Sequence, residues 1–161
     1  MPQEIERKFI LSKIPKDLPV LKIKQGYLQL DKHCTIRVRS AISSTGTKNT
    51  LTIKGPTSAS GMSRYEYETK LSKLESSNLF KICHKPIIEK TRYIFIYDNM
   101  KWELDEFHGE NQGLLIGEIE LENEWVQFDI PNFVVKEVTG EIKYYNSMLQ
   151  QQPYKNWTNT P

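Results

Sequence analysis

Two cysteines in 161 residues, Cys34 and Cys83, are too few for a disulfide framework. Neither stands in a C-x-x-C or Cys/His spacing that would hold zinc, so reduced thiols are expected. No apolar run approaches the ~20 residues of a membrane span. Charges at Glu4, Glu6, Arg7 and Lys8 interrupt any apolar leader at the N-terminus, which places the expected location in the cytoplasm. Net charge is almost missing: 22 Lys and Arg against 20 Asp and Glu leave +2. That excludes a chain-wide field for polyanions, so any anion site must come from local sorting of the signs. Histidine is equally scarce. His33, His84 and His108 read as turn or surface residues, and no Ser-His-Asp or Cys-His set supplies a nucleophile. Repeats, low-complexity tracts and linkers are absent, so one domain over 1–161 is expected.

What is present is a succession of period-two stretches. Strands are expected over 3–11, 22–31, 33–41, 50–55, 62–70, 87–98, 101–107 and 114–126. Asp31-Lys32 marks a turn, and Ser43 to Asn49 reads as a Ser/Thr/Gly loop. Ser72-Lys73-Leu74-Glu75 fits a capping box and opens a helix with Leu71, Leu74, Leu79 and Ile82 on its apolar face, stopped by Pro86. A second helix is expected over 141–151. Short connections make sequential antiparallel pairing the simplest topology, and the lack of βαβ alternation argues against a Rossmann or TIM-type sheet. The fold class is α+β, mainly antiparallel β.

The charges carry the functional signal. Glu4, Glu6 and Lys8 share one face of the first strand. The same i, i+2 spacing recurs as Arg37/Arg39, Arg64/Glu66/Glu68, Lys90/Arg92, Glu103/Asp105 and Glu118/Glu120, while Lys54 opposes Leu51 and Ile53 in phase. A solvated sheet face also alternates, but it mixes signs, because adjacent like charges destabilise a sheet. Here most pairs are of one sign, which is costly unless counter-ions complete them. Eight strands closed into a barrel enclose space for side chains or one small ligand. With the charged faces inward, Lys8, Arg37, Arg39, Lys54, Lys90 and Arg92 would meet a compact polyphosphate. Glu4, Glu6, Glu66, Glu68, Asp105, Glu118 and Glu120 would offer an oxygen-only set suited to magnesium or manganese.

These residues lie in EIERKF (4–9), TIRVR (35–39), LTIKGP (51–56), SRYEYE (63–68), IEKTRY (88–93), WELDEF (102–107), GEIEL (117–121) and EVTGEIKYYN (137–146). In that order the motifs resemble the CYTH superfamily, the triphosphate tunnel metalloenzymes, over essentially the whole chain. The short bacterial branch is the most similar, and its members are mostly inorganic or nucleoside triphosphatases. The resemblance implies a closed eight-stranded tunnel barrel with a few peripheral helices, one of them C-terminal. It implies two divalent ions, Mg2+ or Mn2+, on Glu4, Glu6, Glu118 and Glu120, with Glu66 or Glu68 and Asp105 completing the acidic side. Triphosphate oxygens would be held by Lys8, Arg37, Arg39, Lys54, Lys90 and Arg92, with Arg64 in the same set. Lys143, or Lys136, would be the basic residue reaching the tunnel from the C-terminal segment. The chain departs from the family pattern at Gly140-Glu141-Ile142-Lys143 and at Phe133.

The reaction so implied is metal-dependent hydrolysis of a triphosphate, inorganic tripolyphosphate first, with Glu6, Glu118, Glu120 and Lys8 as the catalytic group and Lys8 protonating the departing diphosphate. Alternatives are a class IV-type adenylate cyclase, or a non-catalytic module binding polyphosphate or RNA 5′-triphosphate ends. Nucleic acid is disfavoured because Tyr65 and Tyr67 alternate opposite to the charges instead of forming a stacking face with them. The expected partner is a small-molecule triphosphate, with no membrane. Substrate choice would lie in tunnel width and rim residues, which a strand pattern does not encode, and the pattern carries no oligomeric state.

Overall fold

Period-two alternation builds nine antiparallel strands in the computed structural model, which describes residues 3–31 and 33–157. They are β1 (Gln3–Leu11), β2 (Val20–Asp31), β3 (Cys34–Ser43), β4 (Gly46–Thr57), β5 (Ser63–Lys70), β6 (Ile88–Tyr97), β7 (Met100–Phe107), β8 (Leu115–Glu120) and β9 (Val134–Glu137). Their spatial order is β5-β4-β3-β2-β6-β7-β8-β1-β9, and a β1–β5 pairing closes eight of them into a barrel. Closure is made by the first half of β1, where Gln3, Glu4 and Ile5 oppose Tyr65, Arg64 and Ser63. The second half of β1 pairs with β9 instead.

Sequential pairing therefore fails at two places. β1 lies between β8 and β5, not beside β2, and β6 pairs with β2, not with β5. The reason is the helix α1 (Lys73–Ile82), which carries the chain from β5 across the outside of β3 and delivers β6 to the free edge of β2. The expected loop over 43–49 is also absent. The strands continue to Ser43 and restart at Gly46 around a tight turn, in which the Ser43 hydroxyl accepts from the Thr45 N–H at 3.2 Å. Lys32 of the expected Asp31-Lys32 turn lies outside the described residues.

The lumen is polar where its charges gather. Tyr27, Ile88, Phe107 and Ile116, in phase with those charges, join Leu114, Val138, Tyr144 and Leu149 in a buried apolar cluster. The outer faces are apolar as well. Phe9, Leu11, Trp102, Leu104, Ile119, Leu121 and Phe133 form an exterior cluster covered by the segment that follows β8. That segment leaves the sheet after Glu120, so β8 is shorter than the strand expected over 114–126. A second exterior cluster, Val38, Phe80 and Cys83, seats α1. The capping box forms in full, with Glu75 N–H donating to Ser72 Oγ at 3.0 Å and Ser72 N–H to Glu75 Oε1 at 2.8 Å. The apolar face differs from expectation. The helix docks through Ser76 and Phe80, which leaves Leu74 and Ile82 each 70% exposed. Both cysteines are free thiols.

The expected helix over 141–151 is broken in two. A 3-10 turn at Ile142–Tyr144 is followed by Tyr145 in extended conformation, then by α2 (Asn146–Gln151). This break turns Tyr145, Asn146 and Ser147 toward one end of the barrel. Among the described residues no helix is long and apolar enough to cross a membrane.

Candidate active site in the barrel lumen

Because side chains alternate along each strand, one face of every stave points into the lumen. The cavity has a volume of about 220 Å³. This is below the ~300–1,000 Å³ of sites for drug-sized ligands and suits a compact one. Seven cationic side chains line it, Lys8, Arg37, Arg39, Lys54, Arg64, Lys90 and Arg92. Seven carboxylates join them, from Glu4, Glu6, Glu66, Glu68, Glu103, Glu118 and Glu120.

Strand order sorts these charges into two arcs. The run β4-β3-β2-β6 contributes Lys54, Arg37, Arg39, Lys90 and Arg92 but no carboxylate. The run β7-β8-β1-β5 contributes all seven carboxylates. Two cations break the rule, Lys8 on β1 and Arg64 on β5. Both lie against the ring of Tyr145, at 5.2 and 5.9 Å from its centroid.

Burial on this scale is tolerable only because partners are close. Asp105 is fully buried beneath the basic arc. It accepts from Arg92 Nε at 2.8 Å and Nη2 at 2.9 Å, and its Oδ2 lies 2.7 Å from Lys90 Nζ. Burial alone would raise the Asp105 pKa, but Arg92 and Lys90 hold it below the usual range. Burial depresses Lys90 to about 7, with Arg92 and Arg39 adding to that effect against the pull of Asp105. Gln25 Oε1 accepts from both Nε and Nη2 of Arg39, while Gln25 Nε2 and Lys90 Nζ each donate to Asn146 Oδ1 at 2.9 Å. Asn146 thus ties the C-terminal segment to the basic arc. Arg37 donates to Thr52 Oγ1 at 3.2 Å, yet its Nε is buried with no partner. A buried guanidinium nitrogen with nothing to donate to is expensive, and an anion in the lumen would satisfy it.

The acidic arc shows the complementary strain. Glu6 and Glu118 lie on paired strands β1 and β8, and the charge of one opposes ionisation of the other. Burial, then the Glu118 and Glu4 charges, raise Glu6 well above the ordinary carboxylate range. Burial works the same way on Glu118, but Lys8, Arg92 and Lys90 outweigh it and hold Glu118 well below. A second pair repeats the arrangement. Burial and the Glu4 charge push Glu66 up to about 7; at Glu4 burial acts in the same direction, but Lys54, 2.7 Å away, outweighs it and lowers the pKa. Burial opposes the Lys8 ammonium, but Glu118 and Glu6 hold its pKa above the ordinary value.

Carboxyls raised by burial and by neighbouring carboxylates are sites where a cation can take the proton's place. The donors are all oxygen, as a hard divalent ion requires. Among the described residues no group of three or more His, Cys, Asp or Glu is arranged to hold an ion alone; the carboxylates meet in pairs. Such pairs match magnesium, which typically takes one or two protein carboxylates together with phosphate oxygens and water.

The CYTH domain family matches residues 2–147. The chain belongs to the CYTH family. An inorganic triphosphatase of Acetivibrio thermocellus is 43% identical over 160 residues, covering 98% of this chain and 99% of that protein. An inorganic triphosphatase of Nitrosomonas europaea is 32% identical over 150 residues, covering 91% and 95%. A solved inorganic triphosphatase structure superimposes with a TM-score of 0.66 at 29% identity, over 93% of this chain and 95% of its own. A putative adenylate cyclase from Bacillus halodurans shares the fold at 19% identity, with a TM-score of 0.54 over 77% and 84% of the two chains.

In this CYTH barrel most of the side chains singled out in the sequence share one cavity: Glu4, Glu6, Lys8, Arg37, Arg39, Lys54, Arg64, Glu66, Glu68, Lys90, Arg92, Glu118 and Glu120. Three others are placed elsewhere. Asp105 sits below the lining with both oxygens committed to Arg92 and Lys90, so it positions cations and is not free to ligate a metal. Lys143 lies outside the lumen, its ammonium 4.7 Å from the Trp157 ring centroid, and Lys136 is exposed on β9. The C-terminal segment instead contributes Tyr145, Asn146 and Ser147. As site residues, sequence reasoning also passed over Glu103, Thr35, Thr52, Gln25 and Tyr27. Glu103 is in phase with Asp105, and Thr52 with Lys54, so period two could have found both.

Proposed function

We propose that this chain is a divalent-metal-dependent triphosphatase acting on inorganic tripolyphosphate in the barrel lumen. The observation that carries the reading is a basic arc facing an acidic arc across about 220 Å³, with Arg37 Nε buried and unpaired between them. A polyanion alone would bind weakly against the carboxylates, and cations alone weakly against the basic arc. A polyanion and cations together satisfy both. The inorganic triphosphatases at 43% and 32% identity support the same substrate.

Arg37, Arg39, Lys90 and Arg92 would grip phosphate oxygens, with Lys54 and Arg64 at the margins of the set. The Glu6 and Glu118 pair would hold one ion, with Glu120 opposite Glu6 on β8 beside it, and Glu4 with Glu66 or Glu68 a second. Bound divalent ions would neutralise phosphate oxygens and acidify the attacking water. In the reaction the water oxygen bonds to the terminal phosphorus, the bridging P–O bond breaks, and diphosphate leaves with the bond's electrons. Lys8 keeps its charge because its pKa is raised, so it offsets the charge building on that leaving group and is a poor donor of its own proton. Positioning and charge neutralisation of this kind are most of what phosphoryl transfer needs.

Phosphate release from tripolyphosphate in Mg2+, Mn2+ or EDTA tests the reading. Turnover that persists in EDTA, or that survives Glu118→Gln with Glu120→Gln, refutes the metal-dependent mechanism. Incubation with ATP separates hydrolysis, which yields ADP, from cyclisation, which yields cyclic AMP.

A further inference from the structure

Outside the barrel, α1 and the β3–β4 hairpin bound an open groove of about 1140 Å³. Six exposed lysines line it: Lys24, Lys48, Lys70, Lys73, Lys81 and Lys85. Among the described residues lining it there is no Asp, Glu or Arg. In a chain of 22 basic and 20 acidic residues that is a strong local excess of one sign. Local structure accounts for part of it. Lys85 donates to the Phe80 carbonyl at 3.1 Å, and the Lys24 ammonium lies 4.7 Å from the Phe80 ring centroid. Lys70, Lys73 and Lys81 make no ion pair among the described residues.

The groove approaches the rim of the lumen at one point. Lys48 lines the groove and lies 3.9 Å from Glu68, which lines the lumen, so the two share a rim. The lumen is sized for a compact anion, and any phosphates beyond those it holds must continue outside. We propose that this lysine groove, outside the barrel, binds the distal part of a linear inorganic polyphosphate whose end occupies the lumen. The proposal rests on the triphosphatase reading of the lumen. A phosphate chain presents charge at every unit and nothing else, which is what ammonium point charges recognise. Single-stranded nucleic acid would want aromatic rings to stack on, and the one ring lining the groove, Phe80, is buried under Lys24.

The test is equilibrium binding of end-labelled long-chain polyphosphate by fluorescence anisotropy in EDTA across a salt series, for the unsubstituted protein and for Lys70→Gln/Lys73→Gln/Lys81→Gln. Affinity should fall about tenfold or more, and the slope of log K against log salt should become shallower by about two. The same variant should keep its tripolyphosphate kcat/KM, which also shows that it folds. Unchanged affinity and slope overturn the groove. An oligodeoxythymidylate that binds as tightly and displaces the polyphosphate overturns the ligand assignment. Absence of tripolyphosphate hydrolysis in the unsubstituted protein sinks the lumen reading and the link to it, whereas the anisotropy result reports on the groove without turnover.

Discussion

Glu6 and Glu118 oppose each other's ionisation across the β1–β8 pairing, in which Lys8 stands opposite Glu118 and favours its charge. Glu66 is in the same position beside Glu4. Raised carboxyls bind protons more tightly in the folded chain than in the unfolded one. Their contribution to stability is complete below the ordinary pKa of 4.5 and is lost as pH rises through about 7 for Glu66 and through the raised pKa of Glu6. Glu118 has the opposite sign, and its contribution is lost as pH falls below 4.5. Without metal, the melting temperature should therefore drop between pH 5 and pH 7.5, and Glu66→Gln should flatten part of the drop. Saturating Mg2+ or Mn2+ should remove most of it. A melting temperature in EDTA that is flat or rises over this window contradicts the paired-carboxyl account. A sharper contrast comes from two arginines. Arg37→Ala should lower kcat/KM on the order of 10²-fold, about 2.7 kcal/mol of lost phosphate contact. Arg7 stands between Glu6 and Lys8 in sequence but on the outer face, with a two-point bond to Glu137. As Ala it should cost under ~1 kcal/mol of stability and leave turnover unchanged.

At the scale of elements, the fold places the site by alternation, and the two helices act at its borders. α1 is held by its capping box, so Ser72→Ala should cost about 1 kcal/mol without altering tripolyphosphate turnover, read as a lower urea midpoint at unchanged kcat/KM. α2 begins with Asn146, whose carbonyl oxygen receives both Lys90 and Gln25. Asn146→Ala should raise KM for tripolyphosphate more than it lowers kcat, because it unpins Lys90 and, through Gln25, Arg39. Equal loss in kcat with KM unchanged would place Asn146 elsewhere in the reaction. The strand pattern made the lumen face legible, since i, i+2 spacing decides which side chains share a wall. It could not reveal the C-terminal contribution, because Tyr145 interrupts what reads as one helix and the break decides which residues turn inward. Asp105 shows another limit: phase puts it on the lumen side, but only three dimensions show both its oxygens taken by Arg92 and Lys90. Pairing order was hidden for a similar reason, because it depends on where α1 delivers β6.

For the whole molecule, the two arcs make the lumen an incomplete salt. Each arc is dominated by one sign that the other only partly neutralises, since the raised pKa values of Glu6 and Glu66 reduce the negative charge of the acidic side. Cations bound by the acidic arc would strengthen the lumen's hold on a polyanion, and a polyanion on the basic arc would strengthen its hold on cations. By linkage the two enhancements must be equal. A non-hydrolysable triphosphate analogue with NH in place of its bridging oxygens allows the coupling to be read without turnover. At about 100 times its Kd a ligand adds about 2.7 kcal/mol of stability, roughly 5–10 °C in melting temperature for a chain of this size. Metal alone and analogue alone should each raise the melting temperature, and both together should raise it by more than the two shifts combined. In Glu118→Gln/Glu120→Gln the analogue's own shift should survive while the extra increment from metal disappears. Simple additivity in the unsubstituted protein, at free-ligand concentrations corrected for the metal–analogue complex, would mean that the arcs bind independently and that the lumen is not built for the pair.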